Sequence, residues 1–134
     1  MTKSRLRLFA LVLYVGLIFT ASSIPTLTPP GPKFAYKDKL AHFVEYAILG
    51  GLLFKRIRFS ASRSRLVTFG FLVAVGASVG ALDELYQSYV PGRNMDVYDW
   101  YADILGAATG VGVFVFTTLS RKSLAPWLGA DEKS

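Results

Sequence analysis

Four apolar stretches alternate with polar segments along the chain and predict four helices. Their predicted bounds are about 6–24, 37–56, 65–88 and 97–120. At a rise of about 1.5 Å per residue, a helix of about 20 residues matches the roughly 30 Å hydrocarbon core of a bilayer. The second stretch is the most polar, because its mainly apolar part covers only 40–54. It reaches the length of a membrane-spanning helix only if the helix begins near Tyr36. The pattern therefore predicts an all-α fold, a polytopic four-helix transmembrane bundle that forms one domain over residues 1–134.

Composition also favours a membrane location. Hydrophobic residues make up 52% of the chain, charged residues make up 18%, and the mean hydropathy is +0.40. A soluble domain of 134 residues would have to bury nearly all of these apolar side chains in one small core. The lipid bilayer is therefore the first predicted partner. The absence of cysteine excludes a disulfide framework, a thiolate nucleophile and a cysteine-based metal site.

The distribution of charge predicts the orientation in the membrane. Eleven of the fifteen basic residues flank the two termini and the connection between the second and third stretches, whereas seven of the nine acidic residues lie at the other ends. The positive-inside rule then puts both termini in the cytoplasm and the acidic loops outside the cell membrane. The net charge of +6 thus reflects topology and anionic lipid headgroups, not nucleic acid. The first stretch also fits a cleaved signal peptide, but its length favours a retained helix.

Turn residues and small residues predict how the helices connect and pack. Residues 25–32 hold four prolines and a glycine, which predict an extended outer loop, and 56–65 predict a short basic hairpin. Each of the last two helices carries a small-xxx-small pair, which permits close approach of helix backbones. These pairs are Gly76/Gly80 and Gly106/Gly110. We expect them to pack the third helix on the fourth; either pair also suits a homodimer.

Candidate chemistry lies in three short polar groups at the outer helix ends. Asp38, His42 and Glu45 share one stripe at the start of the second helix, since they follow at i, i+4 and i+7. The end of the third helix carries Asp83, Glu84 and Gln87, followed by Arg93, and the start of the fourth carries Asp96, Asp99 and Asp103. The groups on the second and third helices are candidate catalytic residues, and Arg93 with the three aspartates on the fourth helix are candidate substrate-binding residues. We expect all three groups to converge at one membrane surface.

Each group also has a purely structural interpretation. Asp38, Asp96 or Asp99 can cap a helix N-terminus, where a carboxylate accepts backbone N–H groups and complements the helix dipole. His42 and Glu45 can form a buried network that only locks helices together, although ionisable groups in a membrane segment usually face a bundle interior or an aqueous cavity. The adjacent Asp83 and Glu84 repel each other, so a cation, a proton or Arg93 should compensate them.

The three groups resemble the successive motifs of the VanZ-like membrane proteins. The residues that carry the resemblance are 37–43 (KDKLAHF) with Glu45 and Tyr46, 83–87 (DELYQ) with 91–93 (PGR), and Asp96, Asp99 and 102–106 (ADILG). The resemblance implies a small helical integral membrane protein of the bacterial cell envelope, in a family whose namesake is associated with resistance to the lipoglycopeptide teicoplanin. Asp103 departs from the Asn of many members and adds one negative charge to the site.

Two functional hypotheses and one structural hypothesis follow. In the first, a membrane enzyme acts on an outer-leaflet phospholipid or a lipid-linked wall precursor: Glu84 or His42 is the general acid or base, and Arg93 holds a phosphate. Asp83, Asp96 and Asp99 would then orient these groups or bind a divalent cation, for which Mg²⁺, Mn²⁺ and Zn²⁺ are equally suitable. In the second, the same residues bind an envelope component without turnover. In the third, the charges only specify helix packing. The sequence identifies no particular metal or cofactor and leaves turnover open.

Overall fold

The computed structural model describes residues 2–25, 36–57 and 64–124, with side chains to 118. The predicted proline-rich loop (from residue 26), the basic hairpin (58–63) and the chain after 124 lie outside the described residues. Four helices form the described chain: α1 Lys3–Ser22, α2 Lys37–Arg56, α3 Arg65–Gln87 and α4 Val97–Leu124. The predicted all-helical fold with four helices is confirmed.

Length and composition suit most of these helices to a bilayer. Within the described ranges, three helices are long and apolar enough to cross a membrane: Lys3–Ser22, Arg65–Gln87 and the Val97–Thr118 part of α4. α2 is also 20 residues long, but ionisable side chains in its first half lower its hydropathy. Large apolar side chains such as Leu13, Phe71 and Leu105 are more than half exposed on the outside of the bundle, as expected for a surface that lipid covers.

The most extensive helix contact is between α2 and α4, and glycines make it possible. A Cβ at Gly106 would collide with the main chain of Phe43, and one at Gly110 would collide with the main chain of Ala47. Only glycine allows backbones to approach this closely. From α2, Gly50 faces the main chain of Ala107 in the same way. The prediction that this second glycine pair packs on α3 is therefore wrong, because α2 occupies that face.

The first glycine pair packs where the sequence predicts. A Cβ at Gly76 would lie 2.7 Å from the Cβ of Ala107, and one at Gly80 would lie 2.7 Å from Oδ2 of Asp103. Both neighbours are on α4, so the expected contact of α3 with α4 is confirmed for this pair. All four glycines of the two pairs are buried within the chain. Homodimerisation through them stays a prediction.

α1 lies at the side of the bundle and contacts α2 and α3. Ile18 is fully buried and joins a core cluster with Tyr46, Leu49 and Leu72. The Tyr14 hydroxyl donates a hydrogen bond of 3.0 Å to the main-chain oxygen of Glu45 on α2. The rest of α1 is largely exposed. In the part of the chain that the structure describes, α2 contacts all three other helices, whereas α4 contacts only α2 and α3.

The connection between α3 and α4 turns the chain back within a few residues. Gly92 has a φ of +83°, a left-handed conformation that L side chains rarely adopt. The Arg93 N–H donates to the Val90 carbonyl at 3.0 Å, which closes the turn. This tight connection holds the end of α3 beside the start of α4, and it thereby positions the polar groups of both helices at the same end of the bundle.

Candidate functional site

The start of α2, the end of α3 and the start of α4 meet at one end of the bundle. A side-chain contact fixes the last two relative to each other: the main-chain N–H of Asp96 donates to Oε2 of Glu84 at 2.7 Å. Trp100 adds a second link, because its indole N–H donates to the Ala77 carbonyl at 2.9 Å. The expected convergence of the three polar groups at one end of the described bundle is therefore present in the structure.

A histidine and two carboxylates form the centre of this polar end. Nδ1 of His42 lies 2.9 Å from Oδ1 of Asp103 and 4.0 Å from Oε1 of Glu84. The three residues come from three different helices, and their exposed fractions are only 5%, 0% and 3%. We call them the central triad. A histidine bonded to a buried carboxylate has a fixed ring orientation, as in sites where imidazole acts as a base or a metal ligand.

Both carboxylates of the central triad have an oxygen without a hydrogen-bond partner. Oε1 of Glu84 and Oδ2 of Asp103 are buried, and no donor reaches them. Burial of an ionised oxygen without a donor or a cation is costly, since the group loses its hydration and gains nothing in return. The triad therefore has unused capacity to hold a proton, a cation or a polar group of a ligand.

Lys39 neutralises part of the charge beside the triad. Its Nζ lies 2.7 Å from Oδ2 of Asp96 and 2.8 Å from Oδ1 of Asp99. The hydrogen bond from this ammonium lowers the pKa of the Asp96 carboxyl below its ordinary value of 3.8. Asp96 also caps α4, because its Oδ1 accepts the Tyr98 N–H at 2.8 Å. The capping interpretation thus holds for Asp96, whereas Asp99 is buried and paired with Lys39.

Asp83 occupies a separate position between α3 and α1. It is fully buried, and its Oδ2 accepts a hydrogen bond of 3.0 Å from the Gln87 side-chain amide. The same amide lies 3.3 Å from Oγ of Ser22 at the end of α1. Gln87, a candidate catalytic residue, thus holds the Asp83 carboxylate in place and connects α3 to α1.

The remaining candidates lie around the triad. Asp38 is exposed and Glu45 is half-buried, so the three residues of the α2 stripe differ in environment although they share one face. Arg93 is partly buried, and its positive charge acts on the carboxylates of Asp83 and Glu45. Of the acidic pair, Arg93 therefore acts on Asp83 and not on Glu84. Nε of Arg93 is buried without an acceptor.

Sequence reasoning assigned no site role to three side chains that the structure places here. These side chains are Lys39, Ser22 and Tyr46, of which Lys39 and Tyr46 belong to the family motifs only. Tyr46 is fully buried with an unpartnered hydroxyl at this end of the bundle.

Two sets of side chains have the geometry of cation ligands. The central triad is one set, in which each residue offers a ligand atom within 4.8 Å of the other two. Asp38, His42 and Asp99 form the second set under the same distance limit. His42 belongs to both, but only the central triad is buried in all three members.

A pocket on the side of the bundle includes one member of the triad, Glu84, in its lining. It has a volume of about 180 Å³ and is lined by Ala81, Glu84, Met95, Asp96, Val97 and Trp100. Most of these side chains are apolar, and the two carboxylates lie among them. The pocket lies between the end of α3 and the start of α4, so it gives access to Glu84 without passing through the core.

The fold and the polar end together define a class: a small helical membrane protein with a buried ionisable cluster at one end of its bundle. The model of the VanZ/LLP1 family matches residues 7–119, which include all ten candidate residues. The chain belongs to the VanZ/LLP1 family, and the resemblance seen in its motifs is confirmed. No curated protein and no solved structure matches the chain.

Proposed function

We propose that this membrane protein engages an outer-leaflet phospholipid or a lipid-linked wall precursor at its polar end and thereby lowers susceptibility to teicoplanin. The observation that carries the proposal is the buried central triad of His42, Glu84 and Asp103, which has unpartnered oxygens and lies beside a pocket lined by Glu84. Ionisable groups inside a membrane bundle are costly, and they usually mark a functional site.

The shape and lining of the pocket suit an amphiphile. Its walls include Met95, Val97 and Trp100, whereas Glu84 and Asp96 supply polar atoms. The volume of about 180 Å³ is smaller than a drug-sized site of roughly 300–1,000 Å³. A headgroup fragment fits such a space while the acyl chains stay in the surrounding lipid. This geometry favours a lipid or a lipid-linked precursor over a water-soluble substrate.

The proposal requires the polar end to face outward. We infer from the positive-inside rule that both termini are cytoplasmic and that the α3–α4 turn is extracytoplasmic. Because the chain has no cysteine, single-cysteine labelling is clean. A membrane-impermeant maleimide should label Asn94→Cys, in the exposed turn, in intact cells, and it should label Ser4→Cys only after the cells are opened. The reverse pattern would remove the site from the outer leaflet.

The functional test is teicoplanin susceptibility of a sensitive bacterium that expresses the wild type, Glu84→Gln or Glu132→Gln. The first variant removes a charge from the triad and keeps its shape. The second makes the same change in the C-terminal segment after α4, so it is the matched control. We expect the wild type and the control to protect and Glu84→Gln to lose protection, at equal protein levels in membranes. Protection by Glu84→Gln equal to that of the wild type would contradict the proposal.

One observation also favours catalysis as the way in which the site acts. Nδ1 of His42 is bonded to the Asp103 carboxylate, the arrangement in which a carboxylate orients an imidazole that transfers protons. Turnover should leave a modified lipid or precursor, which mass spectrometry of envelope extracts would detect in wild-type cells and not in cells with Glu84→Gln. Protection without any altered lipid would assign the site to binding.

A further inference from the structure

We propose that the central triad of His42, Glu84 and Asp103 binds one divalent cation, and that Zn²⁺ is preferred to Mg²⁺. The inference deepens the proposed function, because it concerns the same triad, but it is tested on the purified protein alone. In the loaded site the ion would replace the hydrogen bond between Nδ1 of His42 and Asp103. It rests on the geometry of the three side chains, on their unpartnered oxygens and on the charge of this end of the bundle.

The distances within the triad match those between ligands of one ion. Metal–ligand bonds of about 2.1 Å place two ligand atoms roughly 3 to 4 Å apart when both bind the same ion. Nδ1 of His42 lies 2.9 Å from the Asp103 carboxylate and 4.0 Å from Oε1 of Glu84. All three ligand atoms fall within 4.8 Å of one another. Small side-chain movements therefore suffice to place an ion among them.

The unpartnered oxygen of Glu84 is an independent sign of a ligand. Glu84 is 3% exposed, and its Oε2 is occupied by the Asp96 N–H. Its other oxygen, Oε1, faces His42 and accepts no hydrogen bond. Buried polar atoms in folded proteins nearly always have a partner, so an oxygen directed at a histidine and a second carboxylate indicates a missing positive charge.

The charge of the polar end also favours a dication. The described residues at this end carry seven carboxylates, and Lys37, Lys39 and Arg93 are their basic counterparts. Lys39 is already committed to Asp96 and Asp99, and Arg93 acts on Asp83 and Glu45. Neither neutralises the triad. One dication and the carboxylates of Glu84 and Asp103 form an electrically neutral group, which is less costly inside a membrane than two uncompensated carboxylates.

The ligand types select among cations. Imidazole suits Zn²⁺ and other transition metals, whereas Mg²⁺ and Ca²⁺ prefer sites made only of oxygens. One nitrogen and two carboxylates from three helices leave at least one coordination position of a tetrahedral ion open. Of the three triad residues, Glu84 also lines the side pocket, so the open position would lie on the side of the triad nearest that pocket.

The test measures the number of Zn²⁺ ions bound per chain by the purified full chain in detergent. The protein is first loaded with Zn²⁺ and then dialysed against metal-free buffer. Wild type should retain one ion per chain, and Mg²⁺ in large excess should not displace it. Glu84→Gln should weaken binding by at least about 100-fold, since loss of even an outer-shell partner typically costs 10–100-fold in affinity. Asp103→Asn is a second variant with the same expectation, in case Glu84→Gln does not fold.

Asp38→Asn is the matched control, because it removes one carboxylate by the same kind of change and belongs only to the second, partly exposed ligand set. It should bind Zn²⁺ as the wild type does. Three results would each overturn the inference: no Zn²⁺ on the wild type, equal binding by the wild type and both triad variants, or loss of binding in Asp38→Asn alone. Because the assay needs no cells, its failure is distinguishable from a failure to protect against teicoplanin.

Discussion

A single methyl group at Gly80 should disturb both helix packing and the triad. A Cβ at this position would lie 2.7 Å from Oδ2, 3.0 Å from Cβ and 3.2 Å from Cγ of Asp103. Optimal contacts between carbon atoms are about 3.5–4.0 Å. Asp103 is fully buried and cannot swing aside, so Gly80→Ala should force α3 and α4 apart by about half an ångström.

The magnitude follows from two opposing effects. Overpacking of a tight interface typically costs about 1–3 kcal/mol. Replacing glycine by alanine in a helix interior also gains up to about 1 kcal/mol from helix propensity. Gly70→Ala is the matched control, because Gly70 lies on the same helix and a Cβ there would meet nothing within 4 Å. The propensity gain is common to both variants, so their difference isolates the cost of overpacking, about 1–3 kcal/mol.

The assay is reversible unfolding in mixed detergent micelles, followed by helical circular dichroism. We expect Gly70→Ala to be as stable as the wild type or slightly more stable, and Gly80→Ala to be less stable than Gly70→Ala. Zn²⁺ binding by Gly80→Ala should also weaken, since a displaced Asp103 changes its distance from His42. Equal stability of the two variants would refute the close contact between Gly80 and Asp103 on which this reasoning depends.

Three further substitutions test the contacts around the polar end, with unfolding free energy as the measurement. Trp100→Phe removes the hydrogen bond to Ala77 and should cost about 1 kcal/mol; an unchanged value would mean that the bond contributes nothing. Gln87→Leu removes one of the two side-chain hydrogen bonds to the buried Asp83 carboxylate and should cost about 1–3 kcal/mol of unfolding free energy. Asp96→Asn tests pH dependence. Because the pKa of Asp96 is lowered in the folded state, its ionised form stabilises the protein above pH 3.8, and this stabilisation is lost as the pH falls through the lowered pKa. The unfolding free energy of the wild type should therefore exceed that of this variant by at most about 1 kcal/mol near pH 6, because the ion pair is partly exposed. This difference should shrink in acid.

The helices were predictable because the apolar stretches end at residues that favour turns or helix caps. Gly92 in the α3–α4 turn and the aspartate that caps α4 mark boundaries that local chemistry decides. The partner of each helix face was not predictable to the same degree. Gly106 and Gly110 have the same spacing as Gly76 and Gly80. Spacing alone does not predict which helix packs against each pair. That choice depends on how the whole bundle packs.

At the polar end, the sequence likewise predicts the faces of single helices but not the contacts between helices. Helical periodicity placed Asp38 and His42 on one stripe, and the structure buries only His42. Lys39 points toward α4, where it pairs with Asp96 and Asp99, which follow about 60 residues later. No local pattern encodes such a pairing, because it depends on the register between α2 and α4. The sequence therefore predicted which residues carry charge at this end, and the register decides which of them meet.

The burial of His42 has a consequence for the order of biogenesis. Its partners, Glu84 and Asp103, lie on helices that the ribosome makes later, and the extensive contact of α2 is with the last helix, α4. Ionisable side chains within a lone membrane helix are costly, and α2 carries His42 and Glu45 in its first half. α2 is the least apolar of the four helices, so its native depth is favourable only once α4 has entered the membrane. Until then α2 should remain near the membrane interface or beside the insertion machinery. Truncation of the chain before α4 should therefore prevent stable insertion of α2 into the bilayer.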